Sequence, residues 1–398
     1  MAPTPLSLLC ALLLTLPLAI VFTINHDTTT TTTTATTIPP LRHRTLISPP
    51  PRKTKTHLQN PINKPPNIFP PPSPPFLKKT DVIYDDDTSL FQLASRVNPN
   101  PSLAGAPKKL AFMFLTTGPL PFAPLWELYF SRTKKQNLYN IYIHAGPNVR
   151  HDVLFQGVFN NRTIPSKPTG RHTPSLAAAH RRLLARALLH DPSNYMFALL
   201  SPSCIPIHSF DFTYETLVKS KNSFIEILEN EPGAWGRWAA RGDMSMLPEV
   251  EFGSFRIGSQ FSVLTRRHAT VAVNDTRIWS KFKLPCLKEN IYRCYPEENY
   301  FPTLLSMVDR RGCVPATLTY VDWKERHDGH PHTFHRSEVG SELIRSIRRR
   351  RPRYGDENIK GSDASVTRRN YPFLFARKFG SDTVGALMDI ANDVILRE

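Results

Sequence analysis

The chain has 398 residues, of which 40% are hydrophobic, and its 50 Lys and Arg against 33 Asp and Glu give a net charge of +17. This length is enough for two average domains. A basic excess of this size usually indicates a nucleic-acid partner. The N-terminal segments described next direct the chain to the secretory pathway, so we exclude nucleic acid and expect acidic substrates or glycans.

Residues 6–24 form an apolar run without a charged side chain. At about 1.5 Å per residue, this run can cross a hydrocarbon core of roughly 30 Å. A cleaved signal peptide and an uncleaved signal-anchor are the two interpretations. We favour the anchor, because residues 1–5 carry no side-chain charge and no small-x-small cleavage site closes the run. The predictions are a short cytoplasmic tail at 1–5, one transmembrane helix at 6–24 and a lumenal remainder.

The segment 25–80 reads as a stem. It holds an uninterrupted threonine run at 28–34 and proline clusters at 49–51 and 70–72, with few large apolar residues. Such a composition predicts a disordered, extended and O-glycosylated Pro/Thr-rich stem. Residues 81–107 then form a lead-in segment with a short helix at 81–97. Because the low-complexity part ends near residue 80, a proline-rich structural protein is excluded.

A lumenal location agrees with two short patterns. Asn161 and Asn274 each begin an N-glycosylation acceptor sequence. Four cysteines follow the apolar run, an even number suited to an oxidising compartment. We expect a disulfide between Cys286 and Cys294, and the sequence leaves the pairing of the other two, Cys204 and Cys313, open.

Residues 108–398 have the pattern of one α/β domain. Apolar runs at 110–115, 139–144 and 195–200 predict buried strands, and a helix at 124–132 between the first two implies a mostly parallel sheet. A helix at 175–190 has apolar residues at helical spacing and carries Arg181, Arg182 and Arg186 on its other faces. Further strands are expected at 224–228, 261–264, 318–321 and 373–375, with a closing helix at 381–396. The sequence contains no Walker or dinucleotide glycine loop.

Glu297 and Glu298 follow Pro296 at the predicted start of a helix. Acids in a first turn complement the helix dipole, a structural role worth about 0.3–1 kcal/mol. The functional interpretation makes one of them a general base. Adjacent helical residues point about 100° apart, so only one acid can face a site. Tyr300 is a candidate for the aromatic lining of a sugar pocket.

Arg377 and Lys378 interrupt an aromatic run at 373–379 that reads as a strand. A cation on a half-buried strand needs an anionic partner, and a diphosphate is a natural one. The alternative is a lysine that extends from a strand end to solvent. Both interpretations remain open at this point.

Two patterns suggest metal sites that we do not predict. The acidic run at 85–87 precedes the first strand of the domain, whereas ligands of α/β sheets bind at the carboxyl ends of strands. We interpret it as a solvated acidic run. The histidines at 327, 330, 332 and 335 lie in an irregular loop with no nearby cysteine. We therefore expect no metal cofactor.

The chain from about residue 108 onward resembles the core-2/I-branching β-1,6-N-acetylglucosaminyltransferase family, in its plant branch of type II Golgi proteins. The resemblance is carried, in family order, by residues 110–118, 142–144, 199–207, 255–261, 294–303 and 373–379. This chain departs from the family pattern at Asn299, where His is usual, at Phe261, where Trp is frequent, and at residues 171–173, where Arg-Trp-Gly is expected.

The resemblance implies a Rossmann-like, nucleotide-sugar-binding α/β domain of the GT-A type that works without a metal. It implies inverting transfer from a UDP-sugar to a glycan or glycoprotein acceptor, at the Golgi membrane. The matching position makes Glu298 the base and Lys378 a diphosphate ligand, assisted by Arg377 and by Arg336. The possible pocket residues are Glu297, Gly258, Ser259 and Tyr300.

Two alternatives stay open within this resemblance. The donor sugar is GlcNAc-like in the first interpretation, but relatives of the family use xylose or glucuronic acid. In the second alternative the protein is a catalytically silent glycan-binding or scaffold protein.

Overall fold

The computed structural model describes residues 87–101, 105–133, 137–147, 155–324, 330–356 and 370–398. The predicted tail, anchor and stem lie outside these ranges. Within them, no helix has both the length and the apolar character that a bilayer crossing requires.

The strands of the described part are short except for the first three in the chain. Their bounds are β1 Lys109–Leu115, β2 Tyr139–His144, β3 Asn194–Leu200, β4 Ile205–Pro206, β5 Ser223–Phe224, β6 Val263–Thr265, β7 Cys313–Val314, β8 Thr319–Val321 and β9 Phe375–Arg377.

These strands form two sheets. The larger has the order β2-β1-β3-β6-β5-β7. β1 pairs in parallel with both β2 and β3, and β5 with β7, while β6 runs antiparallel to β3 and β5. The smaller sheet has the order β4-β9-β8, with Ile205 opposite Ala376 and Thr319 opposite Phe375. The predicted α/β fold with a mostly parallel central sheet is thus present.

Helices cover the sheets and connect their strands. Their bounds are α1 Asp87–Ser95, α2 Ala123–Ser131, α3 Ser175–His190, α4 Phe210–Val218, α5 Ala234–Trp238, α6 Arg266–Asn274, α7 Arg277–Phe282, α8 Pro296–Asp309, α9 Ser341–Arg349 and α10 Val384–Asp389.

The core lies on both faces of the larger sheet, because successive side chains of a strand point to opposite sides. On one face, Phe112 packs edge-on against Trp126 and Phe130 of α2, with ring centroids 6.2 and 5.0 Å apart. On the other face, Met113 and Leu184 of α3 belong to a second buried cluster. A strand buried on both faces reads as a continuous apolar run.

Three predictions for this region are wrong. The closing helix is not continuous, because Ile390 leaves helical geometry at φ −103° and ψ 2° and a π-helical turn, Ala391–Ile395, follows α10. The strand expected at 224–228 ends at Phe224, and Leu228 pairs only with Ile257.

The third wrong prediction concerns the acidic run, of which Asp87 meets one of two buried arginines of α3. The first of these, Arg181, donates hydrogen bonds to the carbonyl oxygens of Ala272, Val273 and Asp275. Asp87 is not solvated as expected but forms a two-pronged ion pair with buried Arg182, at 2.7 and 2.6 Å. The other two residues of the acidic run, Asp85 and Asp86, lie outside the described residues.

Candidate active site

The predicted base stands in the first turn of α8. This helix begins at Pro296, whose missing N–H and fixed φ suit a first helical position. The Glu298 side chain remains one-third exposed, and its Oε2 accepts a hydrogen bond of 2.7 Å from Nη1 of Arg237. Arg237 belongs to α5, and its guanidinium lies 4.6 Å over the ring of Tyr295. The carboxylate thus faces an opening and is held from one side by a cation.

Glu297 points the other way, as the angle between adjacent helical residues predicts. It is 8% exposed, and its Oε2 has no hydrogen-bond partner among the described residues. Burial raises the pKa of Glu297 to about 7, and the charge of Glu298 adds to this rise, while Arg237 and Arg241 oppose it. Of the two acids, Glu298 is therefore the one available to a substrate.

Arg377 and Lys378 form the cationic part of the site. Arg377 ends β9, the middle strand of the smaller sheet. Burial lowers the pKa of Arg377. The charges of Cys204 and Glu298 oppose this shift, and the charge of Arg171 adds to it. Burial lowers the pKa of Lys378 as well, with further contributions from Arg377 and Arg171. Arg171 therefore acts on both Arg377 and Lys378, and the Glu298 charge acts on Arg377.

The cations lie beyond the carboxyl end of β3. The N–H of Phe379 donates a hydrogen bond of 3.2 Å to the carbonyl oxygen of Ser203, in the turn after that strand. The turn leads into β4, which pairs with β9. Ligands of open α/β sheets bind at this edge, outside the carboxyl ends of the strands.

Residues 258–261 connect the two halves of the site. The N–H of Gly258 donates a 2.8 Å hydrogen bond to the carbonyl oxygen of Glu298. A Cβ at Gly258 would lie 2.0 Å from the carbonyl oxygen of Glu226, so glycine is required for this close approach. At the other end of the segment, the Arg377 guanidinium packs 4.5 Å over the ring of Phe261. One short segment thus contacts both the acid and the cation.

The sequence around this site is similar to that of known proteins. A family model described as Core-2/I-Branching enzyme matches residues 110–348, a range that includes Glu298 and residues 258–261. The chain belongs to the Core-2/I-Branching enzyme family. A curated relative, glycosyltransferase BC10 of Oryza sativa subsp. japonica, is 29% identical over 313 residues, 71% of this chain and 76% of the relative. The resemblance seen in the sequence is confirmed, and the protein is a glycosyltransferase.

Solved structures also match this chain, among them a galactosyltransferase. Galactosyltransferase LgtC, in complex with donor and acceptor sugar analogues, covers 73% of this chain and 98% of its own, with 9% identity and a TM-score of 0.36.

The backbone next to Arg336 contacts the segment that carries the cations of this glycosyltransferase. Two residues before it, the N–H of Phe334 donates a 2.8 Å hydrogen bond to the carbonyl oxygen of Lys378. The Arg336 N–H itself donates to Asp382. Its side chain is exposed, and within the described ranges its guanidinium does not contact Arg377 or Lys378.

The glycosyltransferase site includes residues that the sequence interpretation missed, namely Arg171, Arg237 and Glu226. Burial raises the pKa of Glu226 to about 7. The charge of Arg353 opposes this rise, and the charges of Glu231 and Glu298 add to it. The same carboxyl accepts a backbone hydrogen bond from Ser259. Glu226 interrupts the apolar run 224–228, the same kind of signal that drew attention to Arg377. The signal for Arg171 was its place in the family pattern at residues 171–173, whereas Arg237 had no comparable signal.

The pocket role expected for Tyr300 is wrong, because this ring is fully buried. Its hydroxyl donates a 2.9 Å hydrogen bond to Asp275, and the ring packs against Trp279 and Phe282. Tyr300 therefore packs α8 against α7 and does not line a substrate pocket.

The cysteines and glycosylation acceptors lie as follows. Cys286 and Cys294 are joined by a disulfide with a 2.04 Å S–S bond, while Cys204 and Cys313 are free and buried. Asn161 and Asn274 are both exposed, which glycosylation requires. Their modification stays a prediction.

The histidine loop is only partly described. Residues 325–329 lie outside the described ranges, while His332 pairs with Glu338 at 2.7 Å and His335 lies 3.4 Å from Asp382. Both histidines contact carboxylates of the neighbouring surface.

Proposed function

We propose that this glycosyltransferase transfers a GlcNAc-like sugar from a UDP-sugar to a glycan or glycoprotein acceptor in the Golgi lumen. The proposal includes inversion at the sugar carbon, independence of a metal, and a Rossmann-like domain of the GT-A type. One observation carries it: the short segment 258–261 contacts both Glu298, through the N–H of Gly258, and Arg377, through the ring of Phe261, so the acid and the cation stand together beyond the carboxyl edge of the sheet.

Glu298 would act as the general base. Its carboxylate takes the proton of the acceptor hydroxyl as the hydroxyl oxygen attacks the anomeric carbon of the donor sugar. The bond from that carbon to the diphosphate breaks on the opposite face, so the configuration inverts and UDP leaves. Such a base contributes about 10²–10⁴-fold to a rate.

Arg377 and Lys378 would hold the diphosphate, with Arg171 beside them and Arg336 as a further candidate. The mutual repulsion of three neighbouring cations is relieved when an anion binds among them. Charge-assisted hydrogen bonds to phosphate are the strong ones, and they stabilise the negative charge that develops on the leaving group. This is the role that a divalent cation has in metal-dependent sugar transfer.

The location follows from the N-terminal expectations. The proposal combines the apolar run at 6–24, as an anchor, with the Pro/Thr-rich segment to residue 80, as a stem. Together they would hold the domain in the lumen as a type II protein of the Golgi membrane. Glycosylation at Asn161 and Asn274, checked by endoglycosidase treatment of the cell-expressed protein, tests this placement independently of activity.

The function is tested by UDP release from the full-length protein in detergent, over a panel of UDP-GlcNAc, UDP-xylose and UDP-glucuronic acid with glycan acceptors. We expect release from one donor that survives EDTA and falls at least about 100-fold in Glu298→Gln. Release that EDTA abolishes would overturn metal independence, and normal turnover by Glu298→Gln would overturn the assigned base. UDP binding without release from any donor would favour the silent scaffold.

A further inference from the structure

A cleft of about 470 Å³ opens beside the proposed base. Its lining includes Trp235 and Arg237 of α5 and Tyr292, Arg293 and Tyr295, which come just before α8. This volume falls in the range of roughly 300–1,000 Å³ that is usual for ligand sites. A cleft of this size can hold more than one sugar ring.

The cleft adjoins both halves of the catalytic site. Arg237, in its wall, donates the 2.7 Å hydrogen bond to Glu298. On another side, the ring of His172 contacts those of Tyr295 and Tyr292, at centroid distances of 5.1 and 5.9 Å. The residue before it, Arg171, is the one that acts on Arg377 and Lys378. A molecule in the cleft therefore lies next to the arginine that holds the base, and His172, which contacts two rings of the cleft wall, directly follows Arg171.

The lining is aromatic and cationic. Trp235 is 55% exposed and Tyr292 80%, high values for side chains of this size. Exposed aromatic rings pack well against the apolar C–H faces of sugar rings. Both rings therefore present stacking surfaces at the cleft.

Arg293 is the unneutralised cation of the cleft. Arg237 is paired with Glu298, but among the described residues no carboxylate lies within ion-pair distance of Arg293. Its side chain runs across Gly236, where a Cβ would lie 3.1 Å from Cδ and 3.3 Å from Nη1. An arginine held in this way is suited to a carboxylate of a ligand.

The segment that carries these groups is fixed at both ends. Tyr292 and Arg293 end the 3-10 helix Lys288–Arg293, and the disulfide Cys286–Cys294 encloses it. The N–H of Leu287 donates a 2.9 Å hydrogen bond to the carbonyl oxygen of Ala240, close after α5. The two walls of the cleft are thus held together, which lowers the entropic cost of binding.

We infer that this cleft binds the acceptor, and that the acceptor is an acidic glycan whose uronate carboxylate pairs with Arg293. The sugar rings stack on Trp235 and Tyr292, and the accepting hydroxyl reaches Glu298. The inference rests on the proposed function, since only a sugar transferase has use for an acceptor at this place.

The test compares two probes that differ only in their carboxylates, trigalacturonate and the same trisaccharide reduced to galactotriose. Binding to the full-length protein in detergent is measured by titration calorimetry in the presence of UDP. We expect trigalacturonate to bind at least about tenfold more tightly, as a charge-assisted pair implies. Arg293→Ala removes that preference, Arg293→Lys keeps part of it, and Trp235→Ala weakens both probes alike.

Lys288→Ala is the matched control, because this exposed cation lies on the same 3-10 helix but outside the cleft lining. It should keep the preference. Equal affinities for the two probes, or a preference that survives Arg293→Ala, would overturn the inference.

UDP release, measured on the same preparations, separates this inference from the proposed function. An Arg293-dependent preference without UDP release from any donor supports the carboxylate site and overturns the catalytic proposal. Donor turnover with equal affinities for the two probes supports the catalytic proposal and overturns the carboxylate site.

Discussion

The Nη1 of Arg237 lies 2.7 Å from Oε2 of Glu298, so the proposed base is held by a cation that also lines the neighbouring cleft. The other side of Arg237 is fixed by its contact with the ring of Tyr295. One carboxylate oxygen is therefore engaged, and the second remains for an acceptor hydroxyl. Arg237 acts in this arrangement as a positioning residue for Glu298.

We predict that Arg237→Ala lowers kcat about 10- to 100-fold, because a base that can rotate away from the attacking hydroxyl loses the benefit of orientation. Steady-state kinetics of the full-length protein measure the effect, with Arg237→Lys expected to retain part of the activity. Exposed Arg311, remote in sequence from the cleft lining, serves as the control in Arg311→Ala. A raised acceptor KM with unchanged kcat would instead assign Arg237 to uniform substrate binding.

The three cations should act together on the donor. Lys378→Ala, Arg377→Ala and Arg171→Ala are each expected to weaken UDP binding about 10- to 100-fold, since hydrogen bonds to charged groups contribute roughly 1.5–3 kcal/mol. Calorimetric titration with UDP measures this, and added salt should weaken the wild-type affinity in parallel. An unchanged affinity in Lys378→Ala would remove that residue from the donor site.

Arg336→Ala provides the comparison within the same series. Its side chain is exposed, and only the backbone near it contacts the cation segment. We expect a smaller loss of UDP affinity than in Arg171→Ala. A loss as large as that of Lys378→Ala would show that Arg336 turns toward the diphosphate when the donor binds.

Glu297 gives the folded state a pH dependence. Its folded pKa of about 7 exceeds the ordinary value of 4.5. The folded state therefore holds the proton more tightly, and this stabilisation is complete below about pH 4.5 and lost as pH rises through 7. Glu297→Gln stays neutral, so its Tm relative to wild type should rise between pH 5 and pH 8.

Thermal unfolding at several pH values measures this difference. Glu251→Gln is the control, because this side chain is exposed and precedes a surface 3-10 helix. Its Tm difference from wild type should not change with pH. A constant difference for Glu297→Gln as well would mean that Glu297 is ionised in the folded protein at neutral pH.

The ion pair of Asp87 with Arg182 should hold the first helix to the domain. Asp87→Ala leaves a buried guanidinium without its carboxylate, and we expect a loss of about 1–3 kcal/mol in the free energy of unfolding. Urea unfolding monitored by tryptophan fluorescence measures this. The matched control is Glu215→Ala, which removes an exposed pair with Lys219 and should cost about 0.3–0.5 kcal/mol at most. Equal effects would mean that α1 is not anchored through Asp87.

The first three strands could be predicted from the sequence to within one residue. β1, β2 and β3 are mostly apolar because their side chains are buried on both faces of the sheet, and such runs are visible locally. Glu298 was also predictable, since a proline followed by two acids indicates the start of a helix. The family pattern then distinguished Glu298 from Glu297.

What could not be predicted depends on partners that are distant in the chain. Arg181 and Arg182 have helical spacing typical of outer faces, but their hydrogen-bond acceptors lie more than 90 residues away. Arg237 is likewise 61 residues from Glu298. A buried arginine is stabilised by groups that no local pattern reveals, so these contacts appear only in the folded chain.

The position of β9 has a consequence for how the protein is made. This strand lies between β4 and β8, both of which come earlier in the chain. During synthesis, therefore, the helix that bears Glu298 emerges well before the strand that brings Arg377 into place. A nascent chain stalled between them exposes the adjoining edges of β4 and β8, and unpaired strand edges invite association with other chains. Ribosome-bound intermediates of this length should accordingly depend on chaperones more than the finished protein does.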